Sequence, residues 1–153
     1  MTKKLTSAKR KKLTKQLAWD YFSLYIRVRD NFTCVLCGNS YEQGYIMQAG
    51  HVIGRSIKAI KWAEDNVFCQ CFICNGQHRY HPEVYFNWFI NKYGLEKFQE
   101  YSSAEVKHRI TKDRDAEILD EYRAKLLGAN SGHPYTVEAL AKLEKQHEKL
   151  LTE

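Results

Sequence analysis

Leu17, Trp19, Phe22, Tyr25 and Ile26 recur at roughly helical spacing and predict a helix over about residues 16 to 30, its apolar stripe turned to a core. Asn31 follows as a terminator. Before Leu17 the pattern is absent: residues 2 to 15 are polar and basic, which predicts a flexible arm that becomes helical on DNA. Tyr45 to Ile53 reads as a strand, Asn66-Val-Phe-Cys69 as a second extended run, and residues from about Phe72 as helical. Between the strands, residues 54 to 65 form a basic, polar connection. Pro82 is placed as the first residue of a helix that Gly94 ends. Ser102-Ser-Ala-Glu105 has the form of a capping box. Ile118, Leu119, Tyr122 and Leu126 mark a further helix ended by Gly128. After the linker Gly128-Ala-Asn-Ser-Gly132, Thr136 is expected to cap a last helix in which Leu140, Leu143, His147 and Leu150 follow a 3-4-3 spacing. That face could form a dimer seam or pack on its own body. The divisions are an arm over 1–15, a main domain over 16–127, and a linker with a terminal helix over 128–153.

Charge changes this picture through its distribution. The net +6 is carried by the first 19 residues, which hold Lys3, Lys4, Lys9, Arg10, Lys11, Lys12 and Lys15 and no acid. The remainder holds 17 basic against 18 acidic side chains. A basic block of this kind suits a polyanion, because each cation that neutralises a phosphate releases condensed counterions. Arg27, Arg29, Arg55, Lys58, Lys61 and Arg79 extend the candidate phosphate-tracking surface. No run of about 18 apolar residues exists to span a bilayer, and no secretion signal is evident, so a reducing cytoplasm is the expected compartment.

In that compartment the cysteines favour metal over disulfide. Cys34-Val-Leu-Cys37 and Cys71-Phe-Ile-Cys74 are two CxxC turns, and their four thiolates predict a closed structural Zn²⁺ site. Cys69 is the odd cysteine, expected as a small buried hydrophobe, although a Cys69/Cys74 spacing is one that zinc tolerates. Between the pairs lie residues suited to phosphodiester hydrolysis, which needs an activated water and a charge clamp. His51, flanked by Gly50 and Gly54 near the end of an extended run, is the candidate base. Asn75 adjoins the last zinc ligand, and Asn66 could fix the loop that carries His51.

His51, Asn66 and Asn75 around CxxC…CxxC resemble the HNH, or ββα-metal, nucleases whose third residue is Asn. More closely, Trp19-Asp-Tyr-Phe-Ser-Leu-Tyr-Ile-Arg-Val-Arg-Asp30, Gln48-Ala-Gly-His51, Asp65-Asn-Val-Phe-Cys-Gln-Cys71 and Cys74-Asn75 are similar to the phage NinG (Rap) recombination proteins. The resemblance covers about residues 17 to 95. It implies an α+β fold with a zinc-stabilised ββα-metal (HNH-like) core and flanking α-helices, and a structure-selective endonuclease acting on branched DNA such as Holliday junctions or flaps, in a bacterial host cell. It makes His51 the general base, Asn66 a supporting residue, and Asn75 a ligand of a catalytic Mg²⁺ or Mn²⁺. Gly50 departs from the pattern, which usually places Asp or His there as the other metal ligand. His78, with Glu83 as the weaker candidate, is the expected replacement; His81 lies beside them. Lys9, Arg10, Lys11, Lys12, Arg55 and Lys58 are the expected DNA contacts, and a homodimer would suit a two-fold symmetric junction. The alternative reading is a non-catalytic zinc-knuckle DNA-binding accessory protein, which Gly50 favours.

Overall fold

The computed structural model describes residues 5–129 and 131–152, so the arm residues Lys3 and Lys4 and the linker residue Asn130 lie outside it. The chain divides into two compact units, one of residues 1–28 and 113–153 and the other of residues 29–112. These boundaries differ from the expected divisions at residues 16 and 128 because the first long helix and the last two segments share one core.

In the first unit, helix α1 spans Ser7–Arg29, α6 spans Asp115–Gly128 and α7 spans Pro134–Thr152. The expected flexible arm is therefore helical from Ser7. Residues 7 to 15 lack an apolar stripe, but Ala, Lys, Arg and Leu are strong helix formers with no Gly or Pro among them. Arg10 also donates from Nη1 to Leu150 O at 2.6 Å, tying the basic segment to α7. Leu17, Tyr21, Phe22, Leu24 and Ile26 are fully buried, with the Phe22 ring edge-on to Tyr122 at 4.8 Å. Glu144 on α7 accepts from Tyr21 Oη at 2.6 Å and pairs with Arg123 of α6. The terminal helix thus packs on its own body. It begins at Pro134, and Thr136, expected as its cap, is buried inside the first turn. Proline supplies the helical φ and has no N–H to leave unbonded at that end.

The second unit is built on a two-stranded antiparallel sheet. Strand β1 is Met47–His51 and β2 is Val67–Cys71, in the register Met47↔Cys71, Gln48↔Gln70, Ala49↔Cys69, Gly50↔Phe68 and His51↔Val67. Helix α2, Phe72–Gln77, follows β2 directly, and α3 (Pro82–Tyr93), α4 (Leu95–Ser102) and α5 (Ala104–His108) complete the unit. Asn31 and Phe32 take positive φ values of 53° and 48° where the chain leaves α1. Val52, Ile53, Ile60, Phe68, Tyr85, Phe89, Tyr101 and Val106 form the core beneath the sheet. Gly94, at φ 93°, ends α3 as expected, but the chain turns at once into α4, which no pattern announced, and Tyr101 of α4 enters the core. The cap of α5 is Ser103, whose Oγ accepts from Val106 N at 3.2 Å. Ser102 instead donates to Phe98 O.

Arg29 and Asp30 lock the start of this unit. The guanidinium is bidentate on Asp30 and also donates to Glu64 O and Val67 O, while Asp30 Oδ2 accepts from Cys69 N at 2.7 Å. Arg29 is therefore a structural fork at the entry to β2, its guanidinium engaged by Asp30 and two backbone carbonyls.

Candidate functional site

The two CxxC turns meet. The Sγ atoms of Cys34, Cys37, Cys71 and Cys74 all lie within 4.8 Å of one another, and Cys69 is outside the group. Cys37 Sγ and Cys71 Sγ are 3.8 Å apart. Sulfurs bound tetrahedrally at about 2.3 Å from a zinc ion would be separated by about that distance. The first turn is shaped by backbone bonds from Gly38 N to Cys34 O and from Cys34 N to Asn39 O, with Gly38 at φ 74°. The second is shaped by the start of α2, where Cys74 N donates to Cys71 Sγ at 3.4 Å. Burial pushes the Cys34 thiol up, but amides of Cys37, Cys71 and Leu36 more than offset it, so it lies below its usual value. Burial, and then the neighbouring cysteine sulfurs, push Cys74 up. Four sulfurs cannot all ionise side by side unless a cation neutralises them, and the donor set fits zinc.

The cysteine cluster sits at the Met47–Cys71 end of the two-stranded ladder, and His51 pairs with Val67 at the other end. His51 closes β1 and is 9% exposed. Its Nε2–H donates to Lys61 O at 2.9 Å, which makes Nδ1 the basic nitrogen. Burial, and then the charges of Arg55 and Lys61, push its pKa down to about 4, so the ring is neutral near pH 7. Asn66 is fully buried and holds the loop that follows His51: Oδ1 accepts from Ile53 N at 2.9 Å, and Nδ2 donates to Ile53 O at 3.0 Å and Ile60 O at 3.3 Å. Val52 N also donates to Asn66 O at 2.8 Å. The residue expected to support the His51 loop thus bonds to both sides of it.

Asn75 sits on α2 one residue past Cys74, and its Nδ2 donates to Gln48 Oε1 at 2.7 Å. Its Oδ1 faces Gly50, where a Cβ built on the glycine would come within 2.6 Å of it and would collide with Gln70 Oε1. The ladder's alternation places Gln48, Gly50 and Gln70 on one face, which α2 covers, and His51 on the other side of the same strand end. Gln70 is fully buried, and neither of its amide atoms has a hydrogen-bond partner. Tyr85 Oη holds the same strand by donating to Gly50 O at 2.9 Å. Gln48 and Gln70 were not singled out from the sequence. Their signal was a glutamine at an alternating position within otherwise apolar strand residues.

The expected second ligands are placed differently. His78 caps α2; its Nε2–H donates to Val52 O at 3.2 Å, while its buried Nδ1 has no partner. Burial lowers its pKa, and its ring stands edge-on to Tyr85 and Phe86. Glu83 faces solvent in the first turn of α3, with His81 Nδ1 3.2 Å from its carboxylate. Among the basic residues, Lys9, Lys12, Arg55 and Lys58 are exposed, Lys11 lies 3.9 Å from Asp113, and Arg10 is turned to α7. No described helix is long and apolar enough to cross a membrane.

No curated protein and no solved structure matches the chain. A family model does, and it covers the strand pair, both CxxC turns and the helices that frame them: residues 1–131 match the model described as Bacteriophage Lambda NinG protein, and the chain belongs to that family.

Proposed function

We propose that the chain is a divalent-metal-dependent DNA endonuclease of the HNH, or ββα-metal, type, acting on branched recombination intermediates such as Holliday junctions or flaps. The observation that carries this reading is His51: a strand-end histidine kept neutral, its Nε2–H spent on a backbone carbonyl and its loop pinned by a buried asparagine. Neutrality leaves the ring able to take a proton from water, and a bound phosphate is needed to raise its basicity toward working pH. The recombination-related family, the zinc-framed strand–strand–helix order and the basic residues support the substrate class.

In hydrolysis, His51 Nδ1 would take a proton from water as its oxygen bonds to phosphorus. The bond from phosphorus to the 3′ oxygen breaks, and that oxygen leaves with a proton from solvent. Arg55 and Lys61, which depress the His51 pKa, lie where a phosphate would be attracted, and a bound phosphate would in turn raise the histidine's basicity. Mg²⁺ or Mn²⁺ held near Asn75 would stabilise negative charge on the phosphorane and the leaving oxygen. Lys9, Lys12 and Lys58 would contribute phosphate contacts without base readout.

The deciding experiment is cleavage of duplex, flap, Y-shaped and four-way DNA with Mg²⁺ or Mn²⁺ by the wild type and His51→Ala, each at full zinc content. Cutting by the wild type and its loss in the variant are expected. Retained cutting would remove His51 from the mechanism. Gly50, which lacks the acidic side chain of the usual pattern, favours a second reading as a non-catalytic zinc-knuckle DNA-binding accessory protein. Salt-sensitive binding with no product on any of these substrates would establish it.

A further inference from the structure

The cradle above Gly50 explains what replaces the missing acidic side chain. We propose that Gln70 Oε1, together with Asn75 Oδ1, forms a hard-cation site, with the glutamine supplying from β2 the oxygen that the pattern normally takes from position 50 on β1. This rests on the endonuclease reading for its purpose, but its geometry stands apart. Gly50 has no side chain, and Gln70 Oε1 fills the position its Cβ would take, with Asn75 Oδ1 2.6 Å from the same point, so the two amide oxygens converge over the glycine. The Gln48 bond to Asn75 Nδ2 turns Asn75 Oδ1 toward that space. Gln70 is fully buried with both amide atoms unpartnered, a desolvation cost that a bound group would relieve. A cation bound by Oε1 would give that oxygen a partner and accounts for the glycine beneath it.

The ligand chemistry makes a further point. Amide oxygens suit Mg²⁺, Mn²⁺ and Ca²⁺ but carry no charge, and Mg²⁺ sites generally rely on one or two carboxylates plus substrate phosphates. A site of two amides leaves the ion's charge to be met by DNA phosphate. Metal and DNA should then strengthen one another's binding by the same factor.

The test is Mn²⁺ binding, measured by the electron paramagnetic resonance signal of the free ion in zinc-loaded protein, with and without four-way DNA. The His51→Ala background prevents turnover. Gln70→Glu should tighten Mn²⁺ binding at least tenfold in the absence of DNA and shrink the enhancement that DNA provides. Gln70→Met should weaken Mn²⁺ binding at least tenfold and raise the thermal midpoint of the manganese-free protein, since it removes the unpartnered amide. Mn²⁺ affinity unchanged in both variants would overturn the proposal and leave Gln70 a structural amide bridged by water. No Mn²⁺ binding by the parent protein, even with DNA, would overturn it as well. If Mn²⁺ binding depends on Gln70 but the wild type cuts no DNA, the site stands and the endonuclease reading fails. If the wild type cuts and Mn²⁺ binding ignores Gln70, the reverse holds.

Discussion

Replacing His51 by glutamine keeps an N–H within reach of Lys61 O and removes the only titration at that position. In the folded protein the imidazole is held near pKa 4, by burial first and then by Arg55 and Lys61. In the unfolded chain it titrates near its ordinary value of about 6.5. Above pH 6.5 both states are neutral and the full stability is present. Between 6.5 and 4 the unfolded chain takes up a proton that the folded protein refuses, so stability falls through that window, by about 3 kcal/mol in total. Between pH 7.5 and pH 5.0 the loss amounts to about 2 kcal/mol. Acid also weakens thiolate binding of zinc, but that slope is common to both proteins. Urea denaturation of zinc-saturated wild type and His51→Gln at the two pH values isolates the histidine in the difference. The wild type should lose about 2 kcal/mol more than the variant. Parallel losses, or a His51 titration near 6.5 in the folded protein by NMR, would refute the assignment of a desolvated ring facing two cations.

Asn66→Ala should destabilise the zinc-loaded protein by about 2–4 kcal/mol in the same assay, because it orphans the buried Ile53 amide and two carbonyls at once; a change below about 0.5 kcal/mol would contradict its role as the loop's anchor. Chelating zinc should abolish the fixed environments of Trp62 and Trp88 in the near-ultraviolet dichroism, since a structural zinc site contributes about 10 kcal/mol or more, comparable to a domain's whole stability. Cys71→Ser should lower zinc content in the same preparation, while Cys69→Ser should leave it at one ion, as Cys69 lies outside the sulfur cluster. Gly50→Ala should cost about 1–3 kcal/mol by driving a methyl into the Gln70 and Asn75 amides, with most of that loss recovered in the Gly50→Ala, Gln70→Ala double variant.

Some of this organisation was legible in the sequence because its cause is local. Paired cysteines at CxxC spacing announce a four-sulfur cluster, and the strand pair, the Pro82 start and the Gly94 stop follow from residue type and neighbour. The start of α1 was missed because periodicity reports burial, and residues 7 to 15 form a helix through propensity and the Arg10 tie to α7 with little burial. Arg29 read as a surface cation because nothing local reveals that the carbonyls of Glu64 and Val67 converge on it beside Asp30. The same limit applies most sharply at Gly50. Read alone, it is a gap in a ligand pattern, and the search for a replacement runs to the nearest polar residues in sequence, His78 and Glu83. The structure turns Glu83 to His81 and brings Gln70 over the glycine, because Gln48 pairs with Gln70 across the ladder and places it diagonal to position 50. Gly50 and Gln70 are therefore one feature. An aspartate at 50 would collide with the glutamine, and a small residue at 70 would leave the glycine facing an empty space, so neither position can be interpreted, or changed, without the other.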